Sequence, residues 1–174
     1  TLFYIFLIKK IRFYKNKRIF FLYGWLFGFG YFVSNLYWIS ISLTFDQNFK
    51  FLIPFTIILI PGFLALFYAL VAYLFAVLKP NKNLSSFFLF SLTFGIVEFL
   101  RGSILTGFPW NLIAYSLSNQ IEILNITSVI GTYSFNLFCI SLFTSPSIFI
   151  LRENKKDISI CVAFLITTMS FHIL

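Results

Sequence analysis

Glu98 and Arg101 stand three positions apart in an otherwise apolar stretch, so on a helix they share one face. Ionised groups in such a setting are expensive unless they pair or reach the interface. Two readings follow. Either the two form a structural ion pair that anchors a helix end, or they make a polar site for a lipid headgroup, with the Arg101 fork taking a phosphate. Directly downstream, Gly107, Phe108, Pro109 and Trp110 interrupt any helix. Pro109 biases Phe108 away from the α region, Gly107 permits a sharp turn, and Trp110 favours headgroup level. Non-helical backbone at that depth must be covered by protein or line a wet cavity. Cys139 and Cys161 lie in apolar runs with no His or second Cys at metal-ligand spacing, so they read as packing residues, and no metal or cofactor is implied.

The elements that position these residues follow from composition. Of 174 residues, 60% are hydrophobic, 22% aromatic and only 10% charged, which excludes a soluble globular exterior. The charged residues bound long uncharged runs: 19–45, 51–78 and 123–151. Each exceeds the roughly 20 residues needed to cross a hydrocarbon core of about 30 Å. We therefore expect an all-α polytopic membrane helix bundle spanning 1–174, with helices at about 19–42, 52–78, 84–105, 123–150 and 158–174. The apolar start, TLFYIFLI, precedes its basic cluster, whereas a signal peptide carries charge first; it reads as a truncated helix, 1–8, of a longer chain. Continuous apolar runs argue against a β-barrel. Within the spans, Pro61 is expected to kink or divide its helix. Gly24, Gly28 and Gly30 offer a face for close packing, and Ser34, Asn35, Ser40 and Ser42 are expected to bond to neighbouring helices.

Charge sets orientation. The cluster Lys9, Lys10, Arg12, Lys15, Lys17 and Arg18, the pair Lys79 and Lys82, and the group Arg152, Lys155 and Lys156 fall on alternate loops. Eleven of the thirteen basic residues then share one side, which the positive-inside rule makes cytoplasmic. The net charge of +8 thus tracks an anionic leaflet and not a nucleic acid. Residues 106–122 and Leu174 fall on the opposite face.

The stretch EFLRGSILTGFPWNLIAYS, from Glu98 to Ser116, resembles the signature of the bacterial apolipoprotein N-acyltransferase family. GWLFGFGYFVSNLYWIS at 24–40 and ITSVIGTYSFNLF at 126–138 resemble the flanking helices, so the likeness covers roughly residues 19–145. What the resemblance implies is an inner-membrane enzyme moving an acyl chain from a phospholipid to the α-amino group of a lipoprotein's diacylglyceryl-cysteine. In the family a periplasmic nitrilase-like domain carries a Cys nucleophile, a Glu base and a Lys that stabilises the oxyanion, and the route runs through a thioester. By carry-over Trp110, Gly107 and Pro109 line the lipid portal, while Glu98 and Arg101 steady its wall. The implied partners are the membrane, a phospholipid acyl donor and, where the catalytic domain is supplied elsewhere, a diacylated apolipoprotein.

The nitrilase-like domain is expected to be absent from this sequence, so no catalytic residue is assigned and this chain alone is expected to be inactive. The alternatives are a non-catalytic lipid-binding membrane module or gene remnant, or a small transporter. Against the last stands the confinement of intramembrane charge to Glu98 and Arg101. The orientation is checked with a compartment-dependent reporter fused after Leu174: an external signal is expected, and a cytoplasmic one would sink the topology.

Overall fold

The computed structural model describes residues 1–11, 13–14, 16–78, 83–104, 107–120, 124–151, 158–159, 162–163 and 166. Among them the chain is helical, with no strand. In chain order come α1 (Leu2–Ile11), α2 (Arg18–Ser42), a 3-10 helix (Gln47–Leu52), α3 (Ile53–Leu78) and α4 (Asn83–Ser103). A second 3-10 helix (Ile113–Leu117) precedes α5 (Ile126–Ile130), α6 (Thr132–Thr144) and α7 (Pro146–Ile150). Among the described residues four stretches are long and apolar enough to cross a membrane: Arg18–Ser42, Gln47–Leu78, Leu84–Ser103 and Thr132–Ile150. The chain is a membrane protein with an all-helical fold. Most of the fifth expected span, 158–174, lies outside the described residues, as do Lys79, Lys82, Arg152, Lys155, Lys156 and Cys161.

The chain divides into two compact units, one of residues 14–77 and one of residues 1–13 with 78–174. In the first, α2 and α3 form an antiparallel hairpin whose seam is made of missing side chains. A Cβ on Gly24 would sit 2.5 Å from the Tyr68 carbonyl oxygen and 2.7 Å from the Ala69 Cα; one on Gly28 would sit 2.8 Å from the Tyr68 Cβ. Helices in lipid gain little from the hydrophobic effect between them, so such backbone approach, with its dispersion contacts, supplies the association. Gly30, expected on the same face, meets nothing within 4 Å. Tyr68 fills the next layer, stacking on Phe27 and Tyr31.

Pro61 does not divide its helix: α3 runs unbroken through a buried Pro61. One residue on, the Gly62 carbonyl accepts a bond of 3.0 Å from the Trp25 indole N–H, tying α2 to α3 there. The polar residues of α2 also depart from expectation. The side chains of Ser34, Asn35, Ser40 and Ser42 bond back to carbonyls of Gly30, Tyr31, Tyr37 and Ile39 of their own helix. They are not buried, so an intrahelical acceptor is the nearest available partner in an apolar medium.

In the second unit α4 packs on α6, again through glycine. A Cβ on Gly95 would meet the Leu137 Cδ1 at 2.8 Å, and one on Gly102 would overlap the Tyr133 hydroxyl. The Tyr133 ring meets Phe99 edge-on at 5.1 Å. Tyr4 of α1 packs on Phe90 of α4 at 5.1 Å. The helix expected at 123–150 is three helices in the described residues. Gly131 separates α5 from α6 at φ +80 and ψ 157, a conformation essentially reserved for glycine. Pro146, lacking an N–H, then opens α7 after the turn at Ser145.

A Gly24→Val substitution is expected to lower stability by about 1–3 kcal/mol, as overpacking does, while Gly30→Ala leaves it unchanged or slightly raised. Thermal unfolding in detergent micelles would check this, and equal effects at the two positions would refute the seam.

Candidate functional site

The candidate site is built where α4 ends. The last turn of α4 passes Arg101 and Gly102, after which the chain doubles back. The Gly107 N–H donates to the Ile104 carbonyl (2.9 Å), and the Phe108 N–H donates to the Arg101 carbonyl (3.0 Å). Gly107 has φ +71, and a Cβ there would lie 2.6 Å from the Gly102 oxygen, so both conformation and space require glycine. Asn111 also adopts positive φ, at 59°, a conformation that Asn tolerates better than most residues.

Arg101 holds this loop. Its Nη1 donates to the Phe108 carbonyl at 3.1 Å and to the Trp110 carbonyl at 2.8 Å, and its Nη2 meets Glu98 Oε1 at 3.3 Å. The backbone bond from Phe108 and the guanidinium bond to Phe108 are reciprocal, closing the loop on the helix end. Arg101 and Glu98 are each 1% exposed. Position in the last turn also suits a cation, since α4 presents its negative dipole end there.

The network extends through Asn136 of α6. Its Nδ2 donates to Glu98 Oε2 at 2.5 Å, and its Oδ1 accepts from the Ala114 N–H at 2.9 Å. Four segments therefore share one buried set of hydrogen bonds: α4, the 107–112 loop, the 113–117 3-10 helix and α6. Ala114, Phe135 and Cys139 form a buried apolar cluster flanked by Ile113, Leu117, Leu124, Ile126 and Phe138. Cys139 is fully buried in that cluster. Among the described residues no group of three His, Cys, Asp or Glu could hold a metal.

The sequence-predicted residues thus part into two sets. Glu98 and Arg101 are buried together and act on the backbone of the loop. Gly107 and Pro109 are partly exposed in the loop, and Trp110 turns outward at 56% exposure. In the 3-10 helix that follows, the Tyr115 hydroxyl is pushed above its ordinary range, first by desolvation, next by Tyr133, with Arg101 opposing and Glu98 adding to the rise. Asn136 was not singled out by sequence reasoning. Its signal was available: an amide in a helix of apolar neighbours needs a polar partner.

A helical membrane protein whose irregular segment is clamped by a buried ion pair is the class that fold and site define. The family model described as the apolipoprotein N-acyltransferase N-terminal domain matches residues 1–144. The chain belongs to the apolipoprotein N-acyltransferase family. It is 42% identical to the apolipoprotein N-acyltransferase of Rhodopseudomonas palustris over 129 residues, 73% of this chain and 24% of that protein. It is 39% identical to that of Brucella melitensis over 126 residues, 72% and 24% of the two chains. With the Rhizobium rhizogenes protein the match is 34% over 149 residues, 85% of this chain and 28% of the relative. The chain spans about a quarter of the length of these curated relatives. No solved structure matches it.

Removing one member of the buried pair leaves the other uncompensated, so Arg101→Gln is expected to cost about 3–5 kcal/mol. Asn136→Leu strands the Ala114 N–H and is expected to cost about 1–3 kcal/mol. Unfolding in micelles measures both. The double variant Glu98→Gln/Arg101→Gln should cost clearly less than the two single changes combined, and strict additivity would show that the pair does not act as a unit.

Proposed function

We infer that this chain forms the membrane portion of an enzyme that transfers an acyl chain from phospholipid to the N-terminal diacylglyceryl-cysteine of lipoproteins. In this reading its residues shape the lipid path, and the acyl chemistry belongs to groups outside the segment described. Family membership supports the substrate class. The observation that carries the reading is the Arg101 clamp: it occupies the carbonyls of Phe108 and Trp110 and leaves the Trp110 indole exposed.

Trp110, Pro109 and Gly107 then line the portal through which acyl chains pass, and Glu98 and Arg101 hold its wall still. An indole at the interface suits this, being broad and apolar with one polar edge that tolerates headgroup level. The buried guanidinium serves the wall and not a phosphate, because its described bonds go to Glu98 and to backbone carbonyls. Cys139 is enclosed among Ala114 and Phe135, which suits packing and not nucleophilic attack. The membrane is the bacterial inner membrane, with the basic loops cytoplasmic and residues 106–122 periplasmic. The distribution of basic residues supports this orientation.

The portal is tested by photo-crosslinking with the full chain in phospholipid vesicles containing a diacylated lipopeptide. Benzoylphenylalanine in place of Trp110 should capture the lipopeptide at several times the yield of the same group in place of Leu26, an exposed position of α2. Equal yields at the two positions would overturn the assignment.

A further inference from the structure

The α2/α3 hairpin carries a feature that the portal does not use. Near its basic end a cleft of about 460 Å³ is lined by Arg18, Phe21, Leu70 and Tyr73. That volume lies within the range of small-molecule sites, about 300–1,000 Å³. The four residues come as two helical pairs three apart, Arg18 with Phe21 on α2 and Leu70 with Tyr73 on α3. The seam that sets Gly24 against Ala69 and Ala72, and Gly28 against Ala65, gives the antiparallel register that brings these pairs opposite one another. The backbone register therefore places the four lining residues around the cleft.

Its chemistry is one-sided. Arg18 opens α2, so its guanidinium lies at the helix end, while Phe21 is one turn deeper. Lys15 and Lys17 precede it, whereas the one acidic residue between positions 14 and 77, Asp46, caps the 3-10 helix at the opposite end of the hairpin. A cation at the interface above an aromatic and aliphatic cleft matches a ligand with an anionic head and an apolar tail. The guanidinium fork suits a phosphate, and cations at this depth face the surface potential of an anionic leaflet.

We propose that this cleft binds an anionic phospholipid of the leaflet at the basic end of the hairpin, its phosphate on Arg18 and the upper part of an acyl chain against Phe21, Leu70 and Tyr73. The site is separate in sequence from the portal at Trp110 and does not rest on the acyl-transfer reading.

The test uses the full chain in phosphatidylcholine vesicles doped with photoactivatable phosphatidylglycerol, with the labelled peptides mapped by mass spectrometry. Label is expected on the start of α2 and the end of α3. Arg18→Gln should cut that label roughly tenfold, the loss expected when a hydrogen bond to a charged group is removed, and Arg18→Lys should keep much of it. Leu70→Trp fills the cleft with the charge intact and should also cut the label. Equal labelling by photoactivatable phosphatidylcholine would overturn the proposal, as would label that survives Arg18→Gln. Loss with Arg18→Gln but not with Leu70→Trp would mean adsorption to the basic end without use of the cleft, and would overturn it too.

Discussion

The guanidinium of Arg101 is the point on which the second unit depends. The segment from Gly107 to Leu112 is not helical, so its carbonyls cannot be satisfied within a helix. A backbone carbonyl shielded from water and left unmet costs several kcal/mol. One planar fork answers two of these carbonyls and spends another edge on Glu98. A lysine ammonium carries one nitrogen and no rigid fork, and could not hold the same three partners in one plane. The charge has to be neutralised in turn. Glu98 does so, and Asn136 fixes the second carboxylate oxygen while binding the Ala114 N–H.

Such a pair is weak evidence for stability, because desolvating two ions can cost as much as their attraction returns. Its effect is positional. It converts a loop that would otherwise sample many conformations into one whose backbone is tied at Phe108, Trp110 and Ala114. The indole of Trp110 is then presented from a held backbone, and the substrate-facing reading of this loop draws on that rigidity.

Glycine performs the complementary task. Gly102 lies next to Arg101 and leaves space that the Tyr133 hydroxyl occupies, so α6 can come near enough for Asn136 to reach Glu98. Gly24 and Gly28 do the same for the hairpin, and the register they impose also shapes the cleft beside Arg18. In both units the polar or open feature exists because a side chain is missing nearby.

Much of this was legible in the residues. The gaps between charges marked three of the four spans, because a charge inside hydrocarbon is costly enough to punctuate the chain, whereas Leu84–Ser103 carries Glu98 and Arg101 near its end. The spacing of Glu98 and Arg101, and the Gly-Phe-Pro-Trp run after them, marked the place where a helix stops and something else begins. The break at Gly131 was not legible: an apolar run through glycine reads as continuous, and only the positive φ reveals the turn. Of the two outcomes expected at Pro61, division of the helix does not occur, since a membrane helix can carry a proline unbroken when neighbours meet the freed groups. The hydroxyls of α2 bond to carbonyls of their own helix, a partner that apolar periodicity does not announce. Composition and charge spacing alone determined that the chain lies in a membrane as helices and where the polar pair sits. Only the tertiary structure decided what the pair holds, because Asn136 and the carbonyls of Phe108 and Trp110 are brought to it by packing between segments far apart in sequence, and hydrogen-bond partners of that kind leave no local pattern.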